Sequence, residues 1–335
     1  MTERAEYEFR AMDMGNVMHM ALEKFAAEVR KEGLDWADLT EEERNRIIDD
    51  CLDQVSADYG NTVLKSSARN EYMIERTRRI LRRTVWALQE QLKHGEFRPE
   101  GFEVKFEGGR IDRVDIMEEP EKNRVYVKVI DYKTGNTSFD MLALYHGLQL
   151  QLMIYLDGAL KVEQRKYPER EIVPAGIFYY RIQDPIVARE KTDEKTEESI
   201  LKELKLDGLV NGEEEVIEHL EANLTGSSLY YPLRRNQNGL LGSASKALPQ
   251  EKFETVLAYT RAKQKELKAE MYEGEVSALP YLLGEDTGCD FCACKDICGF
   301  DQRIEGCEYR QLQKYSLEEA VECMKEKLGI KKSQK

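Results

Sequence analysis

Gly109-Arg110-Ile111-Asp112 and, nineteen positions after its aspartate, Asp131-Tyr132-Lys133-Thr134-Gly135 decide how this chain is read. Arg110 to Met117 has the pattern of a strand. Val125, Val127 and Val129 alternate through another that ends at Asp131. Glu118 to Asn123, with Pro120 inside it, supplies a turn, so the two runs are predicted to form a hairpin with Asp112 and Asp131 at adjacent strand ends. Lys133 shares a face with Asp131, because side chains at i and i+2 point the same way. Two carboxylates and an ammonium so placed suit phosphodiester hydrolysis. The carboxylates hold Mg²⁺ with positions left open, the backbone carbonyl of Tyr132 offers a further oxygen, and the ammonium orients water or neutralises developing charge. Arg113 and Asp115 have the opposite parity to Asp112, so Asp115 reads as a surface group or a support behind the ligands.

Working outward, Phe102, Val104 and Phe106 mark a strand before this hairpin. The first hundred residues read as helical. Met14, Val17, Met18, Ala21, Leu22 and Phe25 form an amphipathic stripe over 12–31, with Asp13 as candidate cap. Thr40-Glu41-Glu42-Glu43 fits a capping box that opens a helix through about Tyr59, and a third helix runs from Ala68 to Lys93, ended by His94-Gly95. After Asp131 come a helix over 141–160 and a strand from Ile172 to Ile182, which makes 101–183 a mixed α/β core. Residues 184–250 read as a polar insertion or cap with short helical pieces near 198–206 and 213–223. A long charged helix follows over 250–272. Residues 251–310 close the domain with this helix and a cluster of cysteines, and 311–335 is a tail with one amphipathic helix. There is no internal repeat and no G-x-x-x-x-G-K-[ST] loop, so nothing suggests that the chain hydrolyses ATP itself.

At 335 residues, 41% hydrophobic and 34% charged, the composition is that of a soluble globular protein of one large or two modest domains. No apolar run nears the ~20 residues that span a bilayer, and Met1 to Glu6 has no signal-peptide character, so a cytoplasmic location is expected. A net charge of −14 counts against a long DNA-coating surface but not against a metal site, which is itself a cluster of carboxylates. The local exception is Arg76-Thr77-Arg78-Arg79-Ile80-Leu81-Arg82-Arg83, which reads either as a phosphate path or as a solvated or partner-facing helix surface. Seven cysteines argue for metal ligation or free thiols over a disulfide framework. Cys289-x2-Cys292-x5-Cys298, with Cys294 between, is dense enough to point to zinc or an iron–sulfur cluster.

The Gly-x-Ile-Asp and Asp-x-Lys motifs together resemble the PD-(D/E)XK nucleases, specifically their RecB-type branch. Gly15-x3-His19 resembles that branch's N-terminal motif, whose histidine joins the metal site. Gln151-x3-Tyr155 resembles its helix beside bound DNA, and the i, i+4 spacing puts both on one face. Gln149 reads as structural. The cysteine trio resembles that of the iron–sulfur RecB-type nucleases, which include the B subunits of AddAB helicase–nucleases and the exonucleases of CRISPR adaptation. Likeness to the AddAB B subunits extends over about residues 5–310, through Lys205 to Val210 and Gly274 to Pro280. The resemblance implies a restriction-endonuclease-like α/β core and Mg²⁺- or Mn²⁺-dependent cleavage of single-stranded DNA. That DNA comes from duplex ends during double-strand-break repair, the cut strand is the 5′-ended one, and the work is shared with an AddA-type subunit. It implies that His19, Asp112, Asp131 and the Tyr132 carbonyl hold the metal, with Lys133 catalytic and Gln151 and Tyr155 at the DNA. It also implies that Cys289, Cys292 and Cys298 hold a 4Fe-4S cluster. The family's fourth cysteine would fall before residue 1, so the sequence is expected to be a fragment with an incomplete cluster. Cys294, Cys307 and Cys51 are the alternatives for that ligand, with zinc the alternative metal, and Cys51, Cys307 and Cys323 otherwise read as structural. The rival readings are a stand-alone iron–sulfur exonuclease, disfavoured by length and the 184–250 insertion, and a non-catalytic DNA-binding scaffold, disfavoured by intact Asp112, Asp131 and Lys133.

Overall fold

Three helices lead into the sheet in the computed structural model, which describes residues 11–59 and 67–330. They are α1 (Ala11–Lys31), α2 (Glu41–Asp58) and α3 (Ala68–Lys93). The α1 stripe of Val17, Met18, Ala21, Leu22 and Phe25 is buried in one cluster with Ile47, Ile48 and Leu52 of α2 and Leu81, Val85 and Leu88 of α3. Asp13 does not cap α1. It lies inside the first turn and accepts a 2.9 Å hydrogen bond from the Tyr59 hydroxyl. Thr40 does cap α2: its hydroxyl accepts from the Glu43 amide at 3.2 Å, and Glu43 accepts from the Thr40 amide at 2.9 Å. Thr40→Ala should lower stability by about 1 kcal/mol, seen as a lower urea midpoint at an unchanged slope. An unchanged midpoint would show that the cap contributes nothing.

The basic run on α3 is partly committed to this packing. Arg78 pairs with Asp53 of α2 at 2.7 Å, and Arg82 pairs with Asp49.

The strands follow as β1 (Arg98–Phe106), β2 (Gly109–Glu119), β3 (Arg124–Lys133), β4 (Glu171–Arg181), β5 (Asp207–Asn211) and β6 (Ala247–Leu248), in that order across one sheet. β1, β2 and β3 form an antiparallel meander. β4 runs parallel to β3 and antiparallel to β5, and β6 runs parallel to β5. The connection from β3 to β4 holds two helices, α4 (Met141–Tyr145) and α5 (Gln151–Lys166), not the one expected over 141–160. The break falls at Gly147, whose φ of +82° lies in the left-handed region that only glycine enters without strain. The 184–250 segment forms α6 (Asp193–Glu203) and α7 (Glu214–Leu220). It also extends the central sheet through β5 and β6, so it is more than a cap.

Beyond these lie α8 (Gln250–Glu273), β7 (Tyr281–Leu283), β8 (Asp286–Thr287), α9 (Lys295–Cys298), β9 (Arg310–Gln311) and α10 (Leu317–Lys327). The chain divides into two compact units, Met1–Phe139 with Tyr155–Gln250 and Asp140–Ile154 with Glu251–Lys335. In the second, a three-stranded sheet of order β8-β7-β9 accompanies the helices, and Tyr145 stacks on Tyr259 with ring centroids 5.6 Å apart. None of the described helices is long and apolar enough to cross a membrane.

Asp115 is not a surface group. It is fully buried with Arg113 on the face of β2 opposite Asp112, and accepts two hydrogen bonds from the Arg113 guanidinium at 2.6 and 2.9 Å. Lys128 of β3 approaches the same carboxylate at 3.4 Å and donates to the Tyr231 hydroxyl at 2.8 Å. The partner that makes this burial tolerable sits on the neighbouring strand, which is why a charged residue in a strand pattern reads as exposed from sequence.

Candidate active site

The sheet register assembles the site. Phe102 pairs with Arg113 and Val104 with Ile111, so Glu103 of β1 lies across from Asp112 of β2. Arg113 pairs with Ile130, and one step on Asp112 faces Asp131 of β3. Asp131 is then the register partner of Tyr179 on β4, and Tyr179 of Asp207 on β5. With strands about 4.8 Å apart, three carboxylates stand side by side on one face.

α1 brings the histidine to this row. At Gly15 a side-chain carbon would sit 3.3 Å from the Thr134 hydroxyl, so glycine lets the helix settle closely on the loop after Lys133. One turn along, His19 Nδ1 lies 3.5 Å from Asp112 Oδ2. The same Asp112 oxygen accepts from the Tyr132 amide at 2.7 Å, which fixes its rotamer and ties the end of β2 to β3. Lys133 Nζ lies 2.6 Å from Asp131 Oδ2 and 5.3 Å from the centre of the Tyr179 ring. Glu103 pairs with Arg110 across the hairpin.

The electrostatics have one sign. Burial, with Asp112 nearby, pushes Asp131 up to about 6. Burial and Asp112 likewise raise Glu103. His19 loses proton affinity through burial, but Asp112, Glu103 and Asp131 outweigh that and raise it. Burial is the largest cause of the two carboxyl shifts, and neighbouring carboxylates add to each and raise His19, a condition that a bound cation relieves. The Asp131 Oδ2 atom is buried, with the Lys133 ammonium 2.6 Å away as its partner. Donor atoms of His19, Glu103 and Asp112 all lie within 4.8 Å of one another. Hard oxygens with one imidazole fit a divalent cation such as Mg²⁺ or Mn²⁺. Asp131 stands beside this group but outside that radius.

Glu103 is the site residue that sequence reading misses. Its φ of 50° turns it out of regular strand geometry at the point where it faces Asp112. The signal was present in Glu107-Gly108, which joins Phe106 to its partner Gly109 as a two-residue hairpin turn and thereby sets position 103 against 112. Of the α5 pair, Gln151 opens the helix. Tyr155, one turn on, meets Phe106 edge to face at 5.9 Å. Gly158 makes that approach possible, since a side-chain carbon there would come within 2.5 Å of the Phe106 ring. Gln149 precedes the helix and accepts from the Asp140 amide at 3.0 Å.

All seven cysteines are free thiols, and Cys292, Cys294 and Cys298 are exposed. Among the described residues no three cysteine sulfurs come within 4.8 Å of one another, whereas tetrahedral zinc with Zn–S bonds of about 2.3 Å needs them about 4 Å apart. Cys51 is buried in the helical core, its thiol pushed up to about 11 by burial, and is no candidate ligand.

A mixed sheet with this carboxylate row and its lysine defines the class: the chain belongs to the PD-(D/E)XK nuclease superfamily, whose family model matches residues 1–299. It is 35% identical to the B subunit of the ATP-dependent helicase/deoxyribonuclease of Alkaliphilus metalliredigens, over 96% of this chain and 30% of the relative. The proteins of the same name from Lachnoclostridium phytofermentans and Clostridioides difficile are 36% and 34% identical, each over 96% of this chain and 29% and 30% of their own lengths. The chain thus spans about 30% of the length of the curated relatives it matches.

Proposed function

We propose that this chain is the nuclease domain of an AddAB-type helicase–nuclease B subunit and hydrolyses phosphodiester bonds in single-stranded DNA freed at duplex ends in the cytoplasm, alongside an AddA-type subunit. The observation that carries the reading is the convergence of His19, Glu103 and Asp112 next to the Asp131–Lys133 pair. Membership of the nuclease superfamily and the names of the relatives support it. His19, Asp112, Asp131 and the Tyr132 carbonyl, with Glu103 added, are the groups to hold Mg²⁺. When bound, the cation neutralises phosphoryl charge and acidifies a bound water. The Tyr132 amide keeps Asp112 pointed at the site, and the Lys133 ammonium stands ready to donate to the reacting phosphate or its attacking water. Gln151 and Tyr155 are our candidates for steering the strand. Cys289, Cys292 and Cys298 are our candidates for ligands of a 4Fe-4S cluster. No step of the hydrolysis is assigned to them.

The test is cleavage of end-labelled single-stranded DNA. Activity in Mg²⁺ or Mn²⁺ should vanish with chelator and return when the metal is restored. Undiminished cutting in chelator would sink the reading.

A further inference from the structure

Beside Lys133, on the same face of the sheet, opens a cleft of about 410 Å³. Its near wall is Tyr179, over whose ring the Lys133 ammonium sits, and Arg181, the register partner of Lys133. Its far wall comes from the 184–250 segment: Lys202, Lys205, Arg234 and Lys246. Five cationic side chains thus face two carboxylates, Glu203 and Asp207, in a chain whose net charge is −14. Asp207 is already paired with Lys246. The Arg181, Lys202 and Arg234 side chains make no hydrogen bond or ion pair with any described residue, and Lys202 and Arg234 are exposed. Most other arginines and lysines of this unit answer an acid, as Arg78, Arg82, Arg124 and Lys166 do. Thr137, on the loop that leaves Lys133, also lines the cleft, so one stretch of chain runs from the reacting centre into it.

We infer that this cleft, built by the 184–250 segment against β4, binds the phosphates of the single-stranded DNA on one side of the scissile bond. Unpaired cations next to a cleavage centre favour a phosphate backbone, and they read charge without reading sequence. The inference rests on the nuclease reading above.

The experiment is binding of a fluorescein-labelled oligothymidylate to this chain in chelator, with salt varied. Two phosphate contacts on a single strand contribute about 1.4 to the slope of log affinity against log salt. The Lys202→Ala/Arg234→Ala variant should lose that amount, which is about 25-fold weaker binding at about 0.1 M salt if the affinities converge near 1 M. The charge-keeping Lys202→Arg/Arg234→Lys variant should retain the slope. Lys93→Ala, which removes a cation paired elsewhere with Glu90, should match the unaltered chain. An unchanged slope in the first variant, or an equal loss in Lys93→Ala, overturns the inference. Cleavage with Mg²⁺ is run in parallel: if the unaltered chain cuts and the slope does not move, this inference alone fails, whereas absent cutting fails the nuclease reading.

Discussion

Lys133→Ala should reduce cleavage of single-stranded DNA by on the order of 10²–10³-fold, the effect of deleting one preorganised donor at a charge-developing centre. DNA binding in chelator should change little. The ammonium is positioned twice, by Asp131 at 2.6 Å and over the Tyr179 ring at 5.3 Å, so its location does not depend on substrate. Its side chain is 25% exposed, which leaves it open to a phosphate or water. Removing it deletes the cation closest to Asp131 and raises that carboxyl further above about 6, so metal affinity should also weaken as pH falls. Single-turnover rates at saturating Mn²⁺ separate the two losses. Cleavage that persists in Lys133→Ala at the unaltered rate would remove Lys133 from the chemistry.

Asp115→Asn should destabilise the fold by about 3–5 kcal/mol, because it leaves two buried cations without their shared anion. Arg113, Asp115 and Lys128 are each 0–1% exposed. That loss is a large fraction of the ~5–15 kcal/mol that holds a domain folded. Lys128→Met keeps the Arg113–Asp115 pair and should cost far less, and adding it to Asp115→Asn should recover part of the loss. Urea unfolding reads all three, and equal midpoints for Asp115→Asn and the unaltered chain would refute the argument. The pH signature follows from linkage. Burial pushes Lys128 down to about 8 from its ordinary 10.5, so between those values the unfolded chain holds more protons and stability rises with pH. Lys128→Met should remove that rise. Despite its burial, Asp115 is held below the ordinary carboxylate range by Arg113 and Lys128. Its contribution is present above that range and is lost as pH falls through the depressed value.

The parts of this molecule legible in its sequence are those fixed by residues close in the chain. Thr40 and Glu43 cap α2 within one turn, Gly15 and His19 lie one turn apart on α1, and the 118–123 turn sets Asp112 against Asp131. What sequence reading misses depends on distant partners. Glu103 joins the site only through the register of β1 on β2. The burial of Asp115 depends on Lys128, and β5 and β6 become strands by pairing at the edge of a sheet begun a hundred residues earlier. The break between α4 and α5 hides in a stretch whose leucines and tyrosines continue across it, with Gly147 the lone mark. His19, Asp112, Asp131, Lys133, Gln151 and Tyr155 were nameable from motifs, whereas the cationic cleft was not, since its walls come from strands and loops far apart in sequence.

β2 carries charge on both faces: Asp112 toward the carboxylate row, Arg113 and Asp115 into the buried network. A shift of pairing by one residue would therefore expel a guanidinium from its buried anion and drive Asp112 into the apolar interior at the same time. Strands specified by hydrophobic alternation alone tolerate such a slip more readily. Here the strand that carries the carboxylate row also carries the buried network that vetoes misaligned alternatives, so one register serves both.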